Sequence, residues 1–234
     1  MSKLEWENVN NKQHSYMAGG VDEGDPNWLL RTTNQAEMFV DLFMEGVFSS
    51  NMRCVDYACG TGTLSKVFDE IVRGRNSNLN GMIKNYEKYT NYTNDPSYIT
   101  DELMKDGSFD VVTTSSVFEH LAGKEQVDKV MRLLKNTGTF CLHTLVCEEV
   151  PRDPKWFYFQ PVHCTCWTNK SMRQFYDEYK FLGCAYNFKA KMWLMFRDSQ
   201  VFYRIKTNPS FCDQRDTWFF SDGFIDYYKN KPYR

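Results

Sequence analysis

Two groups of residues in this chain have types and spacings that could do chemistry. The first is Asp56-Tyr57-Ala58-Cys59-Gly60-Thr61-Gly62. Arg53 to Tyr57 suits a buried strand, and Thr63 to Glu70 puts Leu64, Val67, Phe68 and Ile71 on one helical face. The glycines between them reach positive φ without steric cost and leave room for a close ligand. A turn of this kind presents backbone N–H groups at a helix N-terminus, where a ligand can be cradled. The G-x-G-x-x-G spacing of nicotinamide dinucleotide sites is absent. The second group is the histidines, whose pKa near neutrality suits proton transfer. His163 lies in the aromatic run Trp156-Phe157-Tyr158-Phe159-Gln160-Pro161-Val162-His163-Cys164-Thr165-Cys166-Trp167-Thr168 and is the first candidate for a base or substrate orienter. His120 opens a helix after a strand and is the second candidate, with capping or packing as its other reading. His143 reads as a core histidine inside a strand, and His14 as a surface or lid residue.

A third feature is acidic. Glu87 closes the strand-like run Gly81–Glu87 and, if the strand ends there, falls about 20 residues past the glycines, where an acidic side chain can accept from ribose hydroxyls. Its other reading is an exposed surface carboxylate. Farther on, Phe109 to Thr113 is a β-branched run suited to a buried strand, followed by Thr114, Ser115, Ser116, Val117, Phe118, Glu119 and His120.

The loop from Asp56 to Gly62 resembles motif I of the class I S-adenosylmethionine-dependent methyltransferases, (D/E)-x-G-x-G-x-G, with Ala58 standing where the first glycine would be. Ser108 to Leu121 resembles the "FDvV…s..vfEHL" stretch of the same family. Pro161 to Ser171 resembles "P-x-H-x-x-x-(F/W)-(S/T)-x-x-(S/T)" of a subgroup that often modifies sugars or small metabolites. The resemblance implies S-adenosyl-L-methionine as cofactor. It would be held by Asp56, Ala58, Cys59, Gly60, Thr61, Gly62 and Glu87, with Thr114, Ser115 and Ser116 near its methionine portion. Arg31 could pair with the cofactor carboxylate. The fold it implies is α/β: a doubly wound, mostly parallel seven-stranded sheet with a C-terminal antiparallel hairpin strand.

The elements that must position these groups alternate. Asn27–Phe48 reads as a helix with Leu29, Leu30, Ala36, Phe39, Val40, Leu42, Phe43 and Val47 apolar; Glu125–Leu134 and Asn169–Tyr179 read as helices too. Lys135-Asn136-Thr137-Gly138 looks like a helix terminator. Thr139–Val146 is expected as a strand, and Ala185–Lys189 with Met192–Arg197 as an antiparallel pair. A single domain over 1–234 is expected: a helical cap over 1–50, a cofactor-binding core over 51–146, a substrate-site insertion over 147–180, and a hairpin and tail over 181–234.

The 234 residues carry a formal net charge of −2, which offers no basic field for a nucleic acid. No apolar run approaches the ~20 residues of a membrane span, so no membrane partner is expected, and the location expected is cytoplasmic. The eight cysteines include no C-x-x-C pair and read as free thiols; Cys164 and Cys166 beside His163 lack a matching second half for a metal, and none is expected. The function expected is methyl transfer to an oxygen of a small molecule such as a sugar or nucleotide-sugar. N-methylation, methylation of a protein or nucleic acid, and a catalytically inactive binding protein are the alternatives.

Overall fold

In the computed structural model, which describes residues 25–89 and 95–226, the chain alternates between strands that line up side by side and helices that cover them. Helix α1 (Pro26–Met44) starts where Asp25 accepts from the Asn27 N–H at 2.9 Å and Pro26 occupies the first turn. Its buried stripe is Ala36, Met38, Phe39, Val40, Leu42 and Phe43. Leu29 and Leu30, expected on the apolar face, are exposed, because the first turn of α1 projects past the core. Strand β1 (Cys54–Tyr57) feeds helix α2 (Thr63–Arg75), and β2 (Ile83–Tyr86) follows. Then come β3 (Phe109–Ser115), α3 (Lys124–Leu133) and β4 (Leu134–His143).

Residues 135–138 are the opening of β4, not the helix terminator expected of them. Gly138 is glycine because a Cβ there would meet the Leu134 side chain at 2.5 Å and the Asp110 carbonyl at 3.0 Å. Lys135 instead forms an ion pair with Asp110 at 2.8 Å across an irregularity in the β3–β4 pairing.

The short parallel strands β5 (Val146–Cys147) and β6 (Trp167–Thr168) bracket the aromatic insertion. Helix α4 (Asn169–Glu178) is set by a reciprocal capping box between Thr168 and Ser171. Strands β7 (Gly183–Asn187) and β8 (Met192–Phe196), helices α5 (Ser199–Thr207) and α6 (Pro209–Cys212), and β9 (Trp218–Ser221) complete the described chain.

The main sheet has seven strands in the order β2-β1-β3-β4-β8-β7-β9. The β1–β2, β1–β3 and β3–β4 pairs are parallel, and the β4–β8, β7–β8 and β7–β9 pairs antiparallel. Five strands therefore run one way, with β8 and β9 opposed. This is the doubly wound, mostly parallel α/β sheet expected, with β9 as an added antiparallel strand drawn from the C-terminal region. Ser97 and Ile99 hydrogen-bond Asn85 along the outer side of β2, so this edge is covered rather than bare.

Successive strand residues face opposite sides. Cys54, Val111 and Cys141 pack under α1, α2 and α5, while Val55, Val112 and Leu142 pack under α3 and α4. The two neighbours of β1 lie on either side of it and are reached through opposite ends of the sheet order. The crevice beyond its carboxyl end is therefore the topological switch point, where open α/β sheets bind ligands.

Candidate functional site

Because β1 to β4 are parallel, their carboxyl ends share one edge of the sheet. That edge carries the turn 58–62, Glu87, Ser115 and Ser116, Glu119 and His120, and Thr144. The turn is built from left-handed backbone: φ is 55° at Ala58, 57° at Gly60 and 70° at Gly62. Gly62 is also required by space, since a Cβ would lie 2.6 Å from Asn85 Nδ2 and 2.8 Å from the Tyr98 hydroxyl. A Cβ on Gly60, by contrast, would meet nothing within 4 Å, so this position opens onto free space. Ala58 occupies a conformation that disfavours a side chain.

Glu87 is buried, not an exposed surface carboxylate. It follows β2 directly; one of its oxygens accepts from the Gly60 N–H at 3.0 Å and the other from the Tyr89 N–H at 3.1 Å. The Gly60 amide is thus committed to Glu87 and is not an open donor for a ligand. The Tyr98 hydroxyl donates to the Gly60 carbonyl at 2.9 Å. Tyr98 is thus a brace of the turn. Asp56, buried beside Glu87, has its carboxyl pushed up to about 8, by burial first and by the Glu87 charge second. Burial, then the Asp56 and Glu87 charges, push the Cys59 thiol far up, so it remains a thiol. Thr61 braces the helix start through Thr63 (3.0 Å between hydroxyls) and takes the Lys66 ammonium on its carbonyl at 2.8 Å.

At the exit of β3, Ser116 is a second non-glycine residue at positive φ (57°). Its N–H donates to the His143 carbonyl at 2.9 Å, and its hydroxyl accepts from the Arg31 guanidinium at 3.3 Å. Arg31 thereby crosses from α1 to the strand ends. Ser115 is half-buried, whereas Thr114 is fully buried, with its side chain in the sheet interior. His143 ends β4 with Nδ1 2.6 Å from the Lys191 carbonyl; burial and the nearby Arg31 cation hold it neutral, near 3.

The two candidate histidines meet. The His120 and His163 rings stand edge to face with centroids 4.9 Å apart. The His163 Nδ1 lies 2.8 Å from the Tyr158 carbonyl, and a carbonyl only accepts, so Nδ1 carries the proton and Nε2 presents a lone pair. Glu119, buried and unassigned by the sequence reading, joins them. Its carboxylate accepts from the Thr144 hydroxyl at 2.9 Å, and its backbone carbonyl accepts from the Cys164 and Thr165 N–H groups at 2.8 and 3.1 Å. Those two amides tie the insertion carrying His163 to the turn carrying His120. Burial and the Glu119 charge keep Tyr158 a neutral phenol. Trp156 and Phe159 pack at 5.1 Å, with Phe157 (71%) and Phe159 (41%) exposed at the insertion's tip. His14 lies outside the described residues. All eight cysteines are free thiols. No helix among the described residues is long and apolar enough to cross a membrane.

Residues 55–142 match a methyltransferase-domain family model. The matched segment begins in β1, ends in β4, and contains the turn, Glu87 and the Glu119–His120 pair. No curated protein matches the chain in sequence. Among solved structures it is similar to a SAM-dependent methyltransferase from Aquifex aeolicus (13% identity, 77% of this chain and 96% of that one, TM-score 0.46). It is also similar to phosphoethanolamine N-methyltransferase 1 from Haemonchus contortus, in complex with phosphoethanolamine and S-adenosylhomocysteine (15% identity, 84% of this chain and 50% of that one, TM-score 0.45).

Ala58→Gly relieves a left-handed alanine and should stabilise the protein by about 1 kcal/mol, raising Tm by roughly 2–4 °C in a thermal scan; a lowered Tm would contradict the strain. Asp56, protonated to a higher pH folded than unfolded, contributes stability that is fully present below about pH 4 and is lost as pH rises towards about 8. The urea midpoint of Asp56→Asn should therefore fall less between pH 5 and pH 8 than that of the parent. Parallel pH profiles would show that the Asp56 carboxyl is not held protonated.

Proposed function

We propose that this protein is an S-adenosylmethionine-dependent methyltransferase acting on an oxygen of a small-molecule acceptor, a sugar or nucleotide-sugar. The observation that carries the cofactor reading is the left-handed turn at residues 58–62 with the buried Glu87 carboxylate latched to it, at the switch point of the sheet and inside the methyltransferase-domain match. In this reading Glu87 keeps further acceptor capacity for ribose hydroxyls, since a carboxylate can accept about four hydrogen bonds. Gly60, which opens onto free space, lets the ligand approach the backbone. Ser115, Ser116 and the Arg31 guanidinium serve the methionine end, the guanidinium suiting its carboxylate. When bound, the cofactor supplies an electrophilic methyl group.

The chain's own residues then have to bind the acceptor, align its oxygen and help its proton leave. Alignment at near-attack distance contributes several kcal/mol, up to about 7–11 in favourable cases. The exposed Phe157 and Phe159 offer apolar faces on which a sugar ring can stack, and they flank in sequence Tyr158, whose ring packs 4.4 Å from that of His163. The cluster of His163, His120 and Glu119 activates the acceptor hydroxyl, which favours an oxygen nucleophile over a free amine that needs no such help.

The test is methyl transfer from S-adenosylmethionine to a panel of sugars and nucleotide-sugars, read by mass spectrometry. A methylated sugar is expected, and His163→Ala should slow its formation at least tenfold with S-adenosylhomocysteine binding unchanged. Transfer to amines alone, or turnover indifferent to His163, would contradict the acceptor reading.

A further inference from the structure

We propose that Glu119, His120 and His163 together hold a divalent transition-metal cation. The inference deepens the reading of this cluster as the part of the proposed methyltransferase that activates the acceptor. Each of the three side chains offers one donor atom, and these atoms all lie within 4.8 Å of one another. Small side-chain rotations bring such a set onto metal bonds of about 2.0–2.2 Å.

The surroundings are those a metal site needs. Metal-bound imidazoles almost always donate their other N–H to a carbonyl or carboxylate, which fixes the ring and its tautomer. His163 does this through the Tyr158 carbonyl and directs Nε2 away from it. Ligating carboxylates are themselves hydrogen-bonded, as Glu119 is by Thr144 at 2.9 Å. The two backbone bonds from Cys164 and Thr165 to the Glu119 carbonyl fix the spacing between the two chain segments that supply the ligands. Charge points the same way. Glu119 is 3% exposed, and the groups at its carboxylate are the neutral hydroxyls of Thr144 and Tyr158; buried charges are ordinarily paired or coordinate metals.

Two imidazoles and one carboxylate suit zinc, iron(II), cobalt(II) or manganese(II) better than magnesium or calcium, which take oxygen ligands. Three protein ligands leave at least one position open, and the two histidines are only half-buried. An acceptor hydroxyl taking that position would lose its proton to water more readily, as metal-bound water does. Its oxygen lone pair would then form the new O–C bond. The S–C bond of the sulfonium breaks with its electron pair moving to sulfur, which leaves a neutral thioether.

The test is titration of the chelator-stripped full chain with Co²⁺, followed by visible absorption, and with Zn²⁺, followed by calorimetry. One equivalent should bind, with d–d bands and no thiolate charge-transfer band. His120→Ala, His163→Ala and Glu119→Gln should each weaken binding at least tenfold. Thr144→Val, which spares all three ligands, should weaken it roughly tenfold. The Cys164→Ser/Cys166→Ser double variant should bind as the parent does. Absence of binding, binding indifferent to the two histidines, or a charge-transfer band lost with the cysteines would each overturn the proposal. S-adenosylhomocysteine titrated into the same samples separates the two readings. Metal without S-adenosylhomocysteine binding sustains the metal site and removes the methyltransferase reading; the reverse result removes the metal site alone.

Discussion

A hydrogen bond between the Gly60 N–H and the Glu87 carboxylate holds the end of β1 against the end of β2, and the geometry of the edge at the strands' carboxyl ends follows from it. The chain must leave β1 and enter α2 within five residues. It does so through left-handed backbone at Ala58, Gly60 and Gly62, a path open to few sequences. The turn has no regular ladder of its own. Tyr98 from below and Glu87 from the side supply the hydrogen bonds, and the Gly62 position has no room for a side chain between Asn85 and Tyr98. Placing a charged carboxylate there has an electrostatic consequence, since the neighbouring Asp56 keeps its proton to a much higher pH than a free carboxyl does.

The second cluster depends on the same sheet edge. Because β3 and β4 are parallel neighbours, Glu119 after β3 and Thr144 after β4 emerge side by side. The insertion between β5 and β6 is then tied to Glu119 through the amides of Cys164 and Thr165, which brings His163 to His120 across 43 residues of chain. The turn at 58–62 and the polar cluster are thus two consequences of one parallel arrangement. Two non-glycine residues at positive φ, Ala58 and Ser116, stand on this edge, as backbone strain often does near a functional site.

Much of this was legible in the residues. Hydrophobic period and turn chemistry located β1, α2, β3, α3 and α4 to within a few positions, because each has an apolar face and a marked end. The position of Glu87 at the end of β2 was legible because its distance from the glycines reports the length of one strand–helix–strand unit. Other features depended on partners distant in sequence. Residues 135–138 carry the lysine and glycine of a helix end, yet the glycine serves close strand packing and the lysine an ion pair with Asp110. Leu29 and Leu30 fit a helical stripe but extend beyond the core. Strand β9 was hidden in an aromatic, charged segment, since an edge strand needs only one apolar face. Glu119 was passed over although it directly precedes His120. A buried carboxylate beside a histidine at a strand end was the available signal, and its meaning required His163 from the next loop.

The proposed cofactor site rests on the turn at 58–62 and Glu87 acting as a nucleoside-binding cradle. Calorimetric titration of the purified chain with S-adenosylhomocysteine, beside NAD and a Glu87→Ala variant, tests it most directly. The account predicts micromolar one-to-one binding of S-adenosylhomocysteine, no binding of NAD, and at least a tenfold loss of affinity in a variant whose fold is shown intact by circular dichroism. No binding of S-adenosylhomocysteine by the folded parent, or equal affinity in the variant, would contradict it.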